Sequence, residues 1–205
     1  MRAVLWGGML MVGLAAAPLV AAYAPTGNVQ SAEVTALIES VRAATLRFED
    51  VEVALAEGYI PDPSGECATA AAHGMPAELG DMGIHYFRPD LLGITATAPR
   101  VDGTGTHTDF MNPAILLYEP QEDGSMVLVG VENLVFQAAW EAAGHEGPPT
   151  LAGRTWDFMV NDPATAVDEA HGFTAHFDQH LWFRDNPNGN LEPFNPRVTC
   201  AHHPH

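Results

Sequence analysis

Apolar residues recur at steps of three and four from Val34 through Leu37, Ile38, Val41, Ala44, Phe48 and Val51 to Leu55, which predicts one amphipathic helix over 31–58. Ser31 is placed to cap its start, and Glu33 sits in the first turn, where the helix dipole favours an acid. Gly58, then Pro61 and Pro63, end it. After a loop over 62–80 the period changes to two. MGIHYF (82–87) reads as a short strand stopped by Pro89, and AILLYEP and MVLVGVENLVF, on either side of QEDGS, predict a β-hairpin. In the second hairpin strand Val127, Val129 and Val131 are predicted on one face and Met126, Leu128 and Leu134 on the other. Apolar on both faces, it belongs in the middle of a covered sheet. A short helix over QAAWEAAG and a strand over TWDFMV follow.

The last predicted strand, over 173–183, alternates. Phe173, Ala175, Phe177, Leu181 and Phe183 share one face; Thr174, His176, Asp178, His180 and Trp182 share the other. The turn Asn186-Pro187-Asn188-Gly189 leads into an extended run to Cys200. The expected fold is α+β, one domain over 31–200, with the N-terminal helix packed on a mainly antiparallel sheet or small β-barrel.

Composition adds location and excludes some partners. The chain has 205 residues, 47% hydrophobic and 17% charged, enough for a sizeable core in one domain. Arg2 is the only charge before Glu33, an apolar run follows it, and small residues cluster at Ala21 and Ala22. That pattern predicts a signal peptide over 1–22 and a secreted or periplasmic protein, with an uncleaved anchor over 3–24 as the rival. The net charge is −18 with no lysine, and loss of Arg2 with the leader takes it to −19. Such a chain repels phosphate backbones and anionic lipid, so neither nucleic acid nor membrane-surface binding is expected. Cys67 and Cys200 are the only cysteines, an even pair that in an exported protein predicts one disulfide; thiolate metal ligands or free thiols are the rivals.

The candidate chemistry lies in the histidines. HFDQH (176–180) resembles the H-E-x-x-H zinc helix only in spacing, because Phe177 stands where that motif needs its glutamate. On a strand, residues four apart are about 13 Å apart and cannot share an ion unless the strand bends. Either Asp178 pairs with one of His176 and His180, or one strand histidine joins ligands from other strands. His85 lies inside MGIHYF, and Glu132 lies inside the apolar hairpin strand, where an unpaired carboxylate is costly. His85, Glu132, His176 and His180, with Asp178 as an additional candidate, form a His/carboxylate set suited to one divalent transition metal: Zn, Cu, Fe or Mn. Tyr86 and Trp182 are expected to wall the pocket, which could also admit a small molecule.

Three functional readings follow: a metalloenzyme or metal carrier, a non-catalytic extracellular binding domain, or metal-free acid–base hydrolysis through Glu132, Asp178 and His180. In the second, the same groups form a hydrogen-bonded network with Arg88 or Arg184 as counter-charge. His73, His107 and His171 are weaker ligand candidates; the tail AHHPH (201–205) is expected to be disordered. No nucleophile elbow, phosphate loop or haem-attachment motif is present in the sequence.

MGIHYFRPDLL, AILLYEP with LVGVENLVF, and HFDQHLWFRDNPNGNLEPFNPRVTC together resemble a family of secreted bacterial proteins of unknown function. That family carries an MGxHY strand, an LLYEP–GVE hairpin and an HxxxHxW–NPxG–NPxVxC ending. The resemblance implies that His85, Glu132, His176, His180 and Cys200 are pattern positions and supplies no reaction; Asn133 departs from the aromatic expected after Glu132.

Overall fold

A computed structural model describes residues 31–96 and 100–203; the expected leader and tail residues 204–205 lie outside the described residues. Ser31 caps the first helix, its Oγ accepting from the Val34 N–H at 3.2 Å. The helix does not run unbroken to Gly58. α1 (Ala32–Thr45) gives way to a 3-10 turn, Leu46–Glu49, and Asp50 caps a second helix, α2 (Val51–Ala56), accepting from the Glu52 N–H at 3.0 Å. Two side chains account for the break. The Thr45 hydroxyl donates back to the Val41 carbonyl at 2.8 Å, which bends a helix. The Tyr118 hydroxyl donates to the Phe48 carbonyl at 2.6 Å, taking an acceptor that a continuous helix would use itself. The apolar stripe survives through Val41 and Phe48, both fully buried, but past the break Ala54 is buried in place of the expected Leu55, which is exposed.

Next come β1 (Ile60–Pro61), β2 (Ala68–Thr69), β3 (Asp81–Phe87), one turn of helix α3 (Pro89–Leu92), β4 (Ile94–Ala96) and β5 (Asp102–Gly103). The hairpin is β6 (Ile115–Pro120) and β7 (Met126–Phe136), and α4 (Gln137–Ala142) follows it. β8 (Thr150–Leu151), β9 (Arg154–Thr155), β10 (Asp157–Met159) and β11 (His176–Trp182) complete the order. The main sheet runs β1-β3-β6-β7-β11-β10, with β2 also on β3, all antiparallel. It is open, not a barrel. Its edge strands β1 and β10 have two and three residues, and Pro61 lacks an N–H, so neither edge can carry a closing ladder. β7 is central, as its two apolar faces require.

The expected face assignment of β7 breaks at one point in the strand and misplaces Val131 and Leu134. Leu117 pairs with Gly130 but Tyr118 pairs with Leu128, so Val129 is an extra residue in a bulge. Its carbonyl accepts from the N–H groups of Phe183 and Arg184 at 2.9 and 3.2 Å. The bulge inverts the alternation: Val131 packs on the helix side with Leu128, while Val129 packs on the other. Beyond it Glu132, Leu134 and Phe136 face away from the helices. Without this bulge Glu132 would point into the helix layer.

Leu116, Tyr118, Val131, Val135, Phe177 and Leu181 bury the sheet against α1 and α2. The opposite face buries Ile115, Leu117, Leu134, Phe136 and Trp182 under irregular segments instead of helices. The Cys67–Cys200 disulfide ties two of these segments across a separation of 133 residues, as predicted. Where another pair meets, Gly80 adopts φ +88°, and a Cβ there would lie 2.3 Å from the Asn195 carbonyl oxygen. The described part of the tail is a turn, with the His203 N–H on the Cys200 carbonyl at 3.0 Å. Among the described residues no helix is long and apolar enough to cross a membrane.

Candidate metal centre

Register assembles the centre. Glu132 stands directly opposite His180 across the β7–β11 ladder, and His85 on β3 faces the same side through Leu117 of β6. His85 Nε2 and His180 Nε2 approach Glu132 Oε2 at 3.3 and 3.4 Å. One donor atom from each of the three residues lies within 4.8 Å of the others. Glu132 and His180 are 4% and 1% exposed. Behind His180, Trp182 stacks at 5.8 Å between ring centroids and donates Nε1–H to the Glu192 carbonyl at 2.6 Å. Gly130, opposite Trp182, leaves room for that indole: a Cβ there would sit 3.0 Å from its Cε3.

Two buried carboxylates on neighbouring strands have opposite surroundings. Glu119 receives Arg184 at 2.5 Å, the Gln121 amide at 3.0 Å and the Thr199 N–H at 2.9 Å. Among the described residues Glu132 has no arginine: Arg184 is taken by Glu119, and Arg88 pairs with Asp90 at 2.7 Å. Neither counter-charge expected for a closed polar network reaches the site. Glu132 Oε2 and both ring nitrogens of His180 are buried without a hydrogen-bond partner among the described residues. Burial alone would depress the His85 pKa, yet Glu132 outweighs it and leaves it raised, so the site favours positive charge.

The separations fit an ion. Two donors on a tetrahedral zinc with bonds of about 2.0–2.2 Å stand about 3.3–3.5 Å apart. Cis donors on an octahedral ion of similar bond length stand about 3.0 Å apart. The observed 3.3 and 3.4 Å, the two edges that meet at Glu132 Oε2, are compatible with the tetrahedral edge.

The centre opens on a cavity of about 810 Å³ between the sheet and the irregular layer. His176 and Asp178 line it, on the predicted face of β11, but His176 is not among the three converging groups. Its Nε2 lies 3.8 Å from Asp178 Oδ2 and its Nδ1 2.8 Å from the Thr174 carbonyl. Tyr86 is not a pocket wall. One residue from His85 on a strand, it faces the helix layer and packs edge-on to Tyr118 at 4.9 Å. Trp182 buttresses His180 from behind and does not line the cavity. His107 contacts the Asn112 carbonyl, and His145 stacks on Trp140, both away from the cavity.

Sequence reasoning undervalued one pair. His73 and His171 meet in the cavity wall, with His171 Nδ1 3.1 Å from His73 Nε2. The only local sign is His171 before Gly172, and His171 adopts φ +53°. Burial pushes the His171 pKa down to about 2 from 6.5. An imidazole depressed on folding contributes stability that is present above about pH 6.5 and lost as pH falls, because the unfolded chain takes the proton first. The loss is about 1.4 kcal/mol per pH unit. Urea unfolding is therefore expected to weaken between pH 6.5 and 5 more steeply in the wild type than in His171→Asn, whose side chain tolerates the left-handed backbone.

No family model, curated protein or solved structure matches the chain.

Proposed function

We propose that the chain is an extracytoplasmic metalloprotein that holds one divalent transition ion, zinc, through His85, Glu132 and His180, and offers it to a small molecule in the cavity. The observation that carries this reading is the buried Glu132 carboxylate, which has no arginine and only two imidazoles, at tetrahedral-edge distances. Two imidazoles and one carboxylate serve both zinc and non-haem iron centres; zinc is the proposed ion because it takes three such protein ligands with one position left for a cavity ligand. Bound there, zinc would act as a Lewis acid on a ligand from the cavity side. The disulfide supports an oxidising compartment, and the leader-like first 22 residues support export. The resemblance to secreted bacterial proteins agrees, since 85, 132 and 180 are positions of the shared pattern.

The test is elemental analysis of exported, tag-free protein truncated after Cys200, which removes the tail histidines, beside the His85→Ala, His180→Ala double variant. One zinc per chain is expected in the first and less than about a tenth of that in the second, in keeping with loss of two of three ligands. No metal in either, with thermal unfolding indifferent to chelator, would contradict the proposal and favour a binding domain with a structural polar network.

A further inference from the structure

We propose that the cavity selects a cationic small molecule, an organic ammonium with an aromatic or aliphatic body, and that Asp178 holds its charged head. The inference rests on the proposed function in that the zinc would share this cavity. Its wall is acceptor-rich: Asp62, Glu66, Glu132 and Asp178 line it, Asp168 at its rim is already paired with Arg100, and among the described residues no arginine or lysine is part of the lining. Asp178 is 3% exposed, and among the described residues its Oδ1 has no hydrogen-bond partner. Its Oδ2 comes no closer than 3.8 Å to His176 Nε2, beyond hydrogen-bonding distance. His176 Nδ1 must carry the proton, because the Thr174 carbonyl at 2.8 Å can only accept. In the neutral ring Nε2 is then an acceptor as well. With that ring neutral, carboxylate and imidazole would stand side by side with no donor between them.

An ammonium brings three N–H donors, no acceptor and a positive charge; a carboxylate or phosphate brings the reverse. The rest of the wall suits an apolar body. Phe87 and Phe173 meet edge-to-face at 5.6 Å beside Ile115 and Leu134, and the volume is that of a pocket for a drug-sized ligand. The net charge of −18 carries the same sign outward and enriches cations near the mouth.

Three probes sharing one body decide the matter: phenethylamine, 2-phenylethanol and 3-phenylpropanoate, titrated calorimetrically at pH 7 into the exported protein truncated after Cys200, prepared with and without zinc, the zinc-free arm being the one in which no metal can take the carboxylate. In that arm the amine is expected to bind at least about tenfold tighter than the alcohol, and the carboxylate no better than the alcohol. Asp178→Asn should bring the amine to the alcohol's affinity while zinc content in the zinc arm stays at one per chain. Equal or tighter binding of the alcohol or carboxylate in the zinc-free arm, or an unchanged amine affinity in Asp178→Asn, would overturn the inference; should that variant not fold, the wild-type series decides alone. Zinc content is measured on the same samples. Amine selectivity with no zinc taken up in the zinc arm would sink the metal reading and keep this one, and zinc uptake without amine selectivity would do the opposite.

Discussion

Glu132→Gln is expected to weaken zinc binding by at least about 100-fold while leaving the fold intact. Glutamine keeps the shape and the cross-strand position opposite His180 but removes the one anionic donor of the centre. Even partners outside the ligand shell change metal affinity by about 10–100-fold, so loss of a direct carboxylate must cost at least as much. Stability discriminates further. A carboxylate oxygen buried without a hydrogen bond costs about 1–3 kcal/mol, so metal-free Glu132→Gln at pH 8 should be no less stable than metal-free wild type. A carboxylate serving in a closed ion-pair network would give the opposite result, a loss of about 3–5 kcal/mol when its partners are stranded. Competition against a chromophoric chelator reads the affinity, and thermal unfolding with and without EDTA reads the stability.

Removing the disulfide is the second large effect. Cys67–Cys200 closes a loop of 133 residues, which in the chain-entropy model stabilises the fold by about 5 kcal/mol. For a chain of this size that corresponds to a fall in Tm of about 10–20 °C in Cys67→Ala, Cys200→Ala. Zinc affinity well below the new Tm should change little, because the three ligands sit on β3, β7 and β11 of the central sheet and not on the tied segments. A Tm within about 2 °C of wild type, measured by scanning calorimetry, would show the covalent tie to be dispensable.

Much of this arrangement was legible in the sequence because it is local. Period-two runs announced β3, β6, β7 and β11, and one-sided alternation placed His176, Asp178 and His180 on a single face. Glu132 declared itself as an acid inside an apolar strand, and the even cysteine count gave the bridge. What stayed hidden depends on long-range contacts. The helix break at Asp50 is driven partly by Tyr118, seventy residues away from Phe48 in the chain. The bulge at Val129 turns Glu132 toward His85, and a strictly alternating reading of β7 gets that face wrong. Tyr86, next to His85 on β3, points to the opposite face of the sheet, as adjacent strand residues must. His73 and His171, 98 residues apart, carry no spacing signal at all.

The most direct measurement is anomalous diffraction at the zinc edge from crystals of the exported protein truncated after Cys200. The expected result is a single ion within about 2.0–2.2 Å of His85 Nε2, His180 Nε2 and a Glu132 oxygen. A zinc-supplemented crystal with no anomalous peak among these three side chains, or with Glu132 hydrogen-bonded to both imidazoles and no ion between them, would contradict it.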